Sequence, residues 1–152
     1  MRQTVKLLSS LPLSRILEKS AKYQKMSEEY LNNAMIYASK LNFAKATEFL
    51  WGAIAEAVKS IYALDGRTLG EHRQIMKALE ELVLKKELAD GARLIQSIDQ
   101  LHINFYEGFV DEGRFLLLSK DAYKLITELS KALEGLKKQK EKSFRARALT
   151  YF

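Results

Sequence analysis

The apolar positions of this chain recur every three or four residues over most of its length, which is the spacing of amphipathic helices. The single proline is at position 12, and long β-branched runs of period two are missing. Turn residues in the segments 41–43, 64–71, 88–92 and 107–115 divide the pattern into five parts. The pattern therefore predicts an all-α fold built as one bundle of five helices.

The first two predicted helices differ in how much apolar surface they carry. The first runs from about Ser14 to Lys40, with one stripe formed by Ile16, Tyr23, Met26, Tyr30, Ala34, Tyr37 and Leu41. The second, at about 43–64, has two adjacent apolar faces, formed by Leu50, Ala53, Ile54, Ala57, Ile61 and Leu64 and by Trp51, Ala55, Val58 and Tyr62. Because these faces require several neighbours, we expect the second helix to be central.

Three further helices are predicted. The third, at about 71–86, turns inward Ile75, Leu79, Leu82 and Val83. The fourth follows the 88–92 segment, ends at Gly108, and turns inward Leu94, Ile98, Leu101 and Phe105. A connection of about ten residues is then expected, with a fifth helix that opens at Ser119 or Asp121 and runs to about 140. Its inward positions are Tyr123, Ile126, Leu129, Leu133 and Leu136.

Length and composition narrow the classes of function. A chain of 152 residues fits a single domain, 1–152. It has no cysteine and only two histidines, so we predict no metal site and no cofactor. No stretch approaches the roughly 20 apolar residues of a membrane helix, and the N-terminus does not have the pattern of a signal peptide. A soluble, cytoplasmic protein without membrane contact is expected.

The positive charge is concentrated near the C-terminus. The net charge is +6, and the segment "KKQKEKSFRAR" at 137–147 holds six positive residues and one negative residue, which leaves +6 − 5 = +1 for the remainder. We therefore predict a basic C-terminal extension, 137–152, that attracts phosphates through Lys137, Lys138, Lys140, Lys142, Arg145 and Arg147. Phe144 is a candidate for stacking on a base. The alternative is a solvated helix end that keeps the protein soluble.

The segment "DQLHINFYEG" at 99–108 contains the first candidate site. On a helix, Asp99 and Tyr106 lie on the same flank as His102, so the carboxylate is placed to hold the imidazole. His102 is then a candidate general acid or base, with Asp99 and Tyr106 in support. Asn104 and Glu107 lie on the other side of the helix as ligand-binding candidates. The alternative is a hydrogen-bonded histidine at the margin of the core.

The other histidine lies in "GRTLGEHRQ", at the start of the third helix. Arg67, His72 and Arg73 are candidates for a small anion site there, because helix N-terminal amides favour negative charge. In the alternative interpretation, His72 only ties down the preceding loop.

Three stretches together resemble the archaeal PaREP repeat-protein family. They are "YLNNAMIYASKLNFAKATEFLWGAIAEAVKSIYALDG", "GEHRQIMKALEEL" and "LHINFYEGF", and the resemblance covers about residues 28–130. That family is similar in turn to HEPN domains, which implies a five-helix, HEPN-like up-and-down bundle with a four-helix core. HEPN domains are often homodimers, and many are metal-independent ribonucleases or partners of nucleotidyltransferases.

The resemblance supports a HEPN-like fold more strongly than it supports ribonuclease activity. Catalytic HEPN ribonucleases have an arginine four to six residues before a histidine near the start of the last core helix. Here Arg93 precedes His102 by nine residues, and the pair Arg67 and His72, which has the right spacing, lies before the third helix.

The sequence therefore favours a non-catalytic homodimer that binds RNA, a nucleotide or a partner protein such as a nucleotidyltransferase. Its site is predicted at His102, Asn104, Tyr106 and Glu107. The alternative is a divergent metal-independent ribonuclease that uses His102 as its acid or base.

Overall fold

Five α-helices make up the fold. The structure is a computed structural model that describes residues 12–86, 90–107 and 110–150, without the side chains of His102 and residues 104–107. The helices are α1 (Leu13–Ser39), α2 (Phe43–Ala63), α3 (His72–Lys86), α4 (Gly91–Glu107) and α5 (Glu112–Leu149). No strand occurs in the described ranges. The prediction of an all-α five-helix bundle is confirmed.

Small residues form the contact between the antiparallel helices α1 and α2. The Ser20 hydroxyl donates to the Ser60 carbonyl at 2.7 Å, and the Ser27 hydroxyl donates to the Ala53 carbonyl at 2.6 Å. The same spacing of seven residues leads next to Ala34 and Ala46, which are both fully buried. A side-chain oxygen can reach a backbone carbonyl of the facing helix only if the two backbones are close. We call these residues, Ser20, Ser27, Ala34, Ala46, Ala53 and Ser60, the small-residue seam.

The aromatic residues of α1 lie beside this seam. The ring centroids of Tyr30 and Tyr37 are 5.8 and 5.4 Å from that of Phe49. A Cβ atom added to Gly52 would lie 2.9 Å from Cδ2 of Tyr30, so this glycine makes room for the ring. The predicted stripe on α1 therefore faces α2, but the prediction left out Ser20 and Ser27, which are buried beside it. The prediction is wrong at Leu41, which lies in the turn with φ 61° and is 70% exposed.

The central position predicted for α2 is confirmed, because 13 of its residues are buried and it packs on α1, α3, α4 and α5. The ring of Trp51 lies 4.6 Å from that of His72, whereas the Tyr62 hydroxyl donates to the carbonyl of Ala78. Since α3 begins beside Trp51 and passes Tyr62 later, α3 runs in the same direction as α2. A hydrogen-bonded turn at 64–66 and the segment 67–71 carry the chain from the end of α2 to the start of α3.

Helix α4 begins in close contact with α3 and continues across the core. A Cβ atom added to Gly91 would lie 2.1 Å from Cγ1 of Val83, so any larger residue there would push the two helices apart. The predicted inward residues Leu94, Ile98 and Leu101 are fully buried. The side chain of Phe105, also predicted inward, lies outside the described residues.

Helix α5 is longer than predicted at both ends. Its N-cap is Asp111, whose side chain accepts a hydrogen bond from the backbone amide of Arg114 at 2.8 Å. Phe115 and Leu118 are buried, and the ring of Phe115 lies 5.3 Å from that of Phe43. The prediction of a connection of about ten residues before Ser119 was wrong because this cap and these apolar contacts start the helix despite Gly113.

We expect the substitution Ala53→Leu to lower the free energy of unfolding by about 2–3 kcal/mol, because it forces the backbones of α1 and α2 apart and separates Ser27 from its carbonyl acceptor. Chemical denaturation measures this. The matched control is Ala21→Leu on the exposed face of α1, which we expect to change stability by no more than about 0.5 kcal/mol. Equal effects of the two substitutions would contradict a close seam.

Candidate functional site

Residues from two separately predicted sites line one groove between α3 and α4. Its volume is about 320 Å³, and its lining is formed by His72, Arg73, Met76, Glu80, Ile95, Gln96 and Asp99. His72 and Arg73 were candidates for an anion site, and Asp99 was a candidate partner of His102. The groove offers one cation, two carboxylates and an imidazole, so its electrostatic character is mixed rather than basic.

The start of α3 is capped by its own chain. The side-chain oxygen of Gln74 accepts hydrogen bonds from the backbone amides of Gly70 and Glu71 at 3.0 and 3.3 Å. These two bonds fix the loop before α3 onto the first turn of the helix. His72 is half-buried with its ring against Trp51, which fits the interpretation that it helps to fix this end of the helix.

Arg67 lies in a different groove from His72 and Arg73. Its guanidinium is 4.6 Å from the ring centroid of Tyr62 and 3.9 Å from the carboxylate of Glu81. Burial and the hydrogen bond to Glu81 raise the pKa of Tyr62 to about 12, so this tyrosine is a neutral donor at physiological pH. The three residues of the predicted anion site therefore do not line one surface, because the loop after α2 directs Arg67 back onto that helix.

The predicted site around His102 is described only in part. Helix α4 continues to Glu107, so Asp99, His102 and Tyr106 occupy one face of it by their spacing. Asp99 is exposed. The side chains of His102, Asn104, Tyr106 and Glu107 lie outside the described residues, and a contact between Asp99 and His102 stays a prediction.

A clamp of polar side chains fixes α4 against α5. The carboxylate of Asp121 accepts two hydrogen bonds from Arg93, at 2.8 and 2.9 Å, and one from Ser97 at 2.6 Å. Lys124 adds an ion pair to Asp90 at 3.1 Å. Burial opposes the ionisation of Asp121, but the hydrogen bonds from Ser97 and Arg93 outweigh it and lower the pKa of this carboxyl group.

The six predicted phosphate-attracting residues near the C-terminus all lie on α5. Two of them are engaged by the bundle, since Lys137 donates to the side-chain oxygen of Gln24 at 3.1 Å and Lys140 pairs with Asp65 at 3.2 Å. The other four are exposed and form no ion pair with a carboxylate in the described part of the chain: Lys138, Lys142, Arg145 and Arg147. Each residue from 142 to 150 is exposed, so the helix projects beyond its neighbours.

A second basic surface, on α1, was missed by the sequence analysis. A groove of about 670 Å³ between the start of α1 and the end of α2 is lined by Arg15, Ile16, Glu18, Lys19, Lys22, Ala63 and Gly66. The sequence contains a pattern that predicts this surface. Arg15, Lys19 and Lys22 are spaced by four and three residues, and residues at this spacing share one face of a helix.

The two basic surfaces lie at the same end of the bundle. Asp65, which pairs with Lys140 of α5, is the neighbour of Gly66 in the groove beside α1. Lys19 is engaged by the Thr68 hydroxyl at 2.7 Å, whereas Arg15 and Lys22 have no ion pair within the described ranges. We call the surface formed by the six unpaired cations the basic end: Arg15, Lys22, Lys138, Lys142, Arg145 and Arg147.

One buried carboxylate lies outside these surfaces. Glu56 of α2 is 6% exposed, and its nearest cation is Lys59 at 3.0 Å. The ammonium of Lys59 lies in turn 5.9 Å from the ring centroid of Tyr23. This pair fills the margin between α1 and α2, so we assign it to packing and not to a site.

The described residues give no support for a metal site or a membrane-spanning segment. Within the described ranges, no three histidine or acidic side chains converge as metal ligands. None of the helices described has the length and apolarity needed to span a membrane. Comparison with protein-family models, curated proteins and solved structures found no match for this chain.

The clamp makes stability depend on pH. Because the pKa of Asp121 is lowered in the folded protein, its contribution is present above the ordinary aspartate pKa of about 3.9 and is lost as the pH falls below it. We expect Asp121→Asn to destabilise the protein at neutral pH, with a difference that shrinks below about pH 4. Chemical denaturation across this range measures it. Glu29→Gln, at an exposed carboxylate, is the control, and a pH-independent loss for Asp121→Asn would contradict the prediction.

Proposed function

We propose that this protein is a non-catalytic RNA-binding module that holds the sugar–phosphate backbone with its basic end. The observation that carries the proposal is the C-terminal part of α5, where four cations, Lys138, Lys142, Arg145 and Arg147, are exposed and form no ion pair within the described chain. Phosphate contacts by lysine and arginine supply most of sequence-independent nucleic-acid binding. A groove of mixed charge, such as that between α3 and α4, supports this function less well.

The dimensions of the basic end suit a strand of nucleic acid. Lys138, Lys142 and Arg145 share one face of α5 and span about 10 Å along the helix axis, whereas Arg147 lies on the opposite face. The span of these three residues matches the axial rise of about three nucleotides in a helical strand. Arg15 and Lys22 extend the positive surface onto α1, so the backbone can be held beyond the length of the projecting helix.

The proposal includes the HEPN-like homodimer that the sequence resemblance implies. Its support is the other end of the bundle, where exposed leucines surround the Phe43–Phe115 contact. Leu41, Leu116 and Leu117 are 70%, 59% and 72% exposed there. Exposed apolar side chains in number favour association with another chain. The resemblance equally implies a partner protein, such as a nucleotidyltransferase, on this end.

A ribonuclease is the second candidate function. The observation that favours it is the lining of the groove between α3 and α4, where Asp99 and His72 are brought together with Arg73. An imidazole beside a carboxylate and a cation is a set that general acid–base chemistry on RNA uses. In this version His72 joins or replaces His102 as the acid or base.

We expect RNA affinity to depend steeply on salt, and the basic end to account for part of this dependence. Replacing Lys138, Lys142, Arg145 and Arg147 by glutamine should reduce the slope of log affinity against log salt by about 3, because each lost phosphate contact removes about 0.7–0.9. Fluorescence anisotropy with a labelled RNA measures the slope.

The control variant removes four cations elsewhere: Lys40, Arg114, Lys120 and Lys131. It has the same net charge as the test variant, so a general charge effect would change both slopes equally. An equal loss in the two variants would contradict the assignment of binding to the basic end.

We expect no ribonuclease activity. Purified protein in the presence of a chelator should leave single-stranded and structured RNA intact, and the substitutions His72→Ala and His102→Ala should not alter that result. Gel analysis of labelled RNA provides the measurement. Cleavage by the parent protein that either substitution abolishes would replace the binding proposal by the ribonuclease.

A further inference from the structure

An exposed aromatic ring lies among the cations of the basic end. Phe144 is 51% exposed, and the side chains of residues 142–150 around it are all exposed as well. A half-exposed ring on a projecting helix has a face available to a ligand, and covering that face would bury further apolar area. Phosphate attraction alone does not require such a ring.

The neighbours of Phe144 on the helix surface are those at three and four residues. Lys140 and Arg147 flank the ring on one side, while Ala148 on the other side is too small to cover it. Lys140 is held by Asp65 at 3.2 Å, which fixes this part of α5 relative to α2. The ring is therefore presented on a tethered helix with a cation beside it.

We propose that the basic end selects single-stranded over double-stranded nucleic acid, with Phe144 stacking on an unpaired base. This inference rests on the proposed function, and it adds the form of nucleic acid that is bound. In a duplex the base faces are already stacked, so the ring has nothing to cover it. In a single strand a base can turn onto the ring while a flanking phosphate meets Arg147.

The distribution of charge argues against an anionic membrane surface as the ligand. A helix that lies on a membrane has a broad apolar face opposite its cations. On α5, cations stand on both sides of the Phe144–Ala148 row, with Lys138, Lys142 and Arg145 on one side and Lys140 and Arg147 on the other. Glu141 interrupts the row one turn before the ring. The apolar row of Phe144 and Ala148 can therefore cover one base, but it does not form the broad apolar face that a helix on a bilayer needs.

Two substitutions separate stacking from simple apolar contact. Phe144→Leu keeps an apolar side chain and a strong helix former but removes the π face, whereas Phe144→Tyr keeps the π face. Anisotropy titrations use a single strand of about 20 nucleotides and a duplex with the same number of phosphates. Vesicles of phosphatidylcholine with phosphatidylserine form a third arm, and far-UV circular dichroism checks that each variant retains its helix content.

We expect the parent protein and Phe144→Tyr to prefer the single strand by on the order of tenfold, and Phe144→Leu to lose that preference while its duplex affinity is unchanged. Equal affinity of the parent protein for the two nucleic acids would overturn the inference, and so would a preference that Phe144→Leu retains. Vesicle binding that is tighter than nucleic-acid binding and survives Phe144→Leu would overturn it as well.

Failure of the inference can be told from failure of the proposed function. If neither nucleic acid binds, or if the four-cation variant of the basic end binds as tightly as the parent, the proposed function itself fails. If both nucleic acids bind and only the dependence on Phe144 is missing, the proposal of RNA binding by the basic end is retained. The proposal that Phe144 selects single strands is then wrong.

Discussion

The close approach of α1 and α2 is the contact on which the rest of the bundle depends. Two serine hydroxyls of α1 reach backbone carbonyls of α2, at 2.7 and 2.6 Å, and the next pair along the seam is Ala34 and Ala46. With one face of α2 occupied by this seam, its remaining faces are left for α3, α4 and α5. The two candidate surfaces follow from that arrangement, because the groove lies between α3 and α4 and the basic end lies where α1, α2 and α5 meet.

Helix periodicity predicted the elements well because most of the core is aliphatic, as at Leu50, Leu94 and Leu129. It failed where burial depends on hydrogen bonding. Ser20 and Ser27 are polar residues that a hydrophobic pattern does not predict to be buried. They can be buried because each hydroxyl donates a hydrogen bond to a carbonyl of α2. The start of α5 was missed for a related reason. Gly113 indicated a loop, but the hydrogen bond from the Arg114 amide to the Asp111 side chain stabilises a helix there.

Prediction of the candidate sites was less complete than prediction of the fold. The C-terminal cations could be read directly from the sequence, because a charged run needs no tertiary information. The grouping of His72 with Asp99 could not, since these residues belong to different helices and only the packing of α3 on α4 brings them together. Arg67 and His72 are near in sequence, yet they line different grooves because Arg67 packs on Tyr62 and His72 packs on Trp51.

The small-residue seam also bears on how the chain folds. The partners Ala34 and Ala46 are twelve residues apart and are joined by a tight turn at 40–42, so closing this loop costs little chain entropy. Contacts between residues near in sequence favour rapid folding. A slip of α1 by four residues would set larger side chains in the places of Ser20 and Ser27, either Gln24 and Leu31 or Ile16 and Tyr23, which disfavours other registers. The α1–α2 hairpin therefore has the properties of a nucleus on which the later helices condense, with α5 returning from the far end of the chain to complete it.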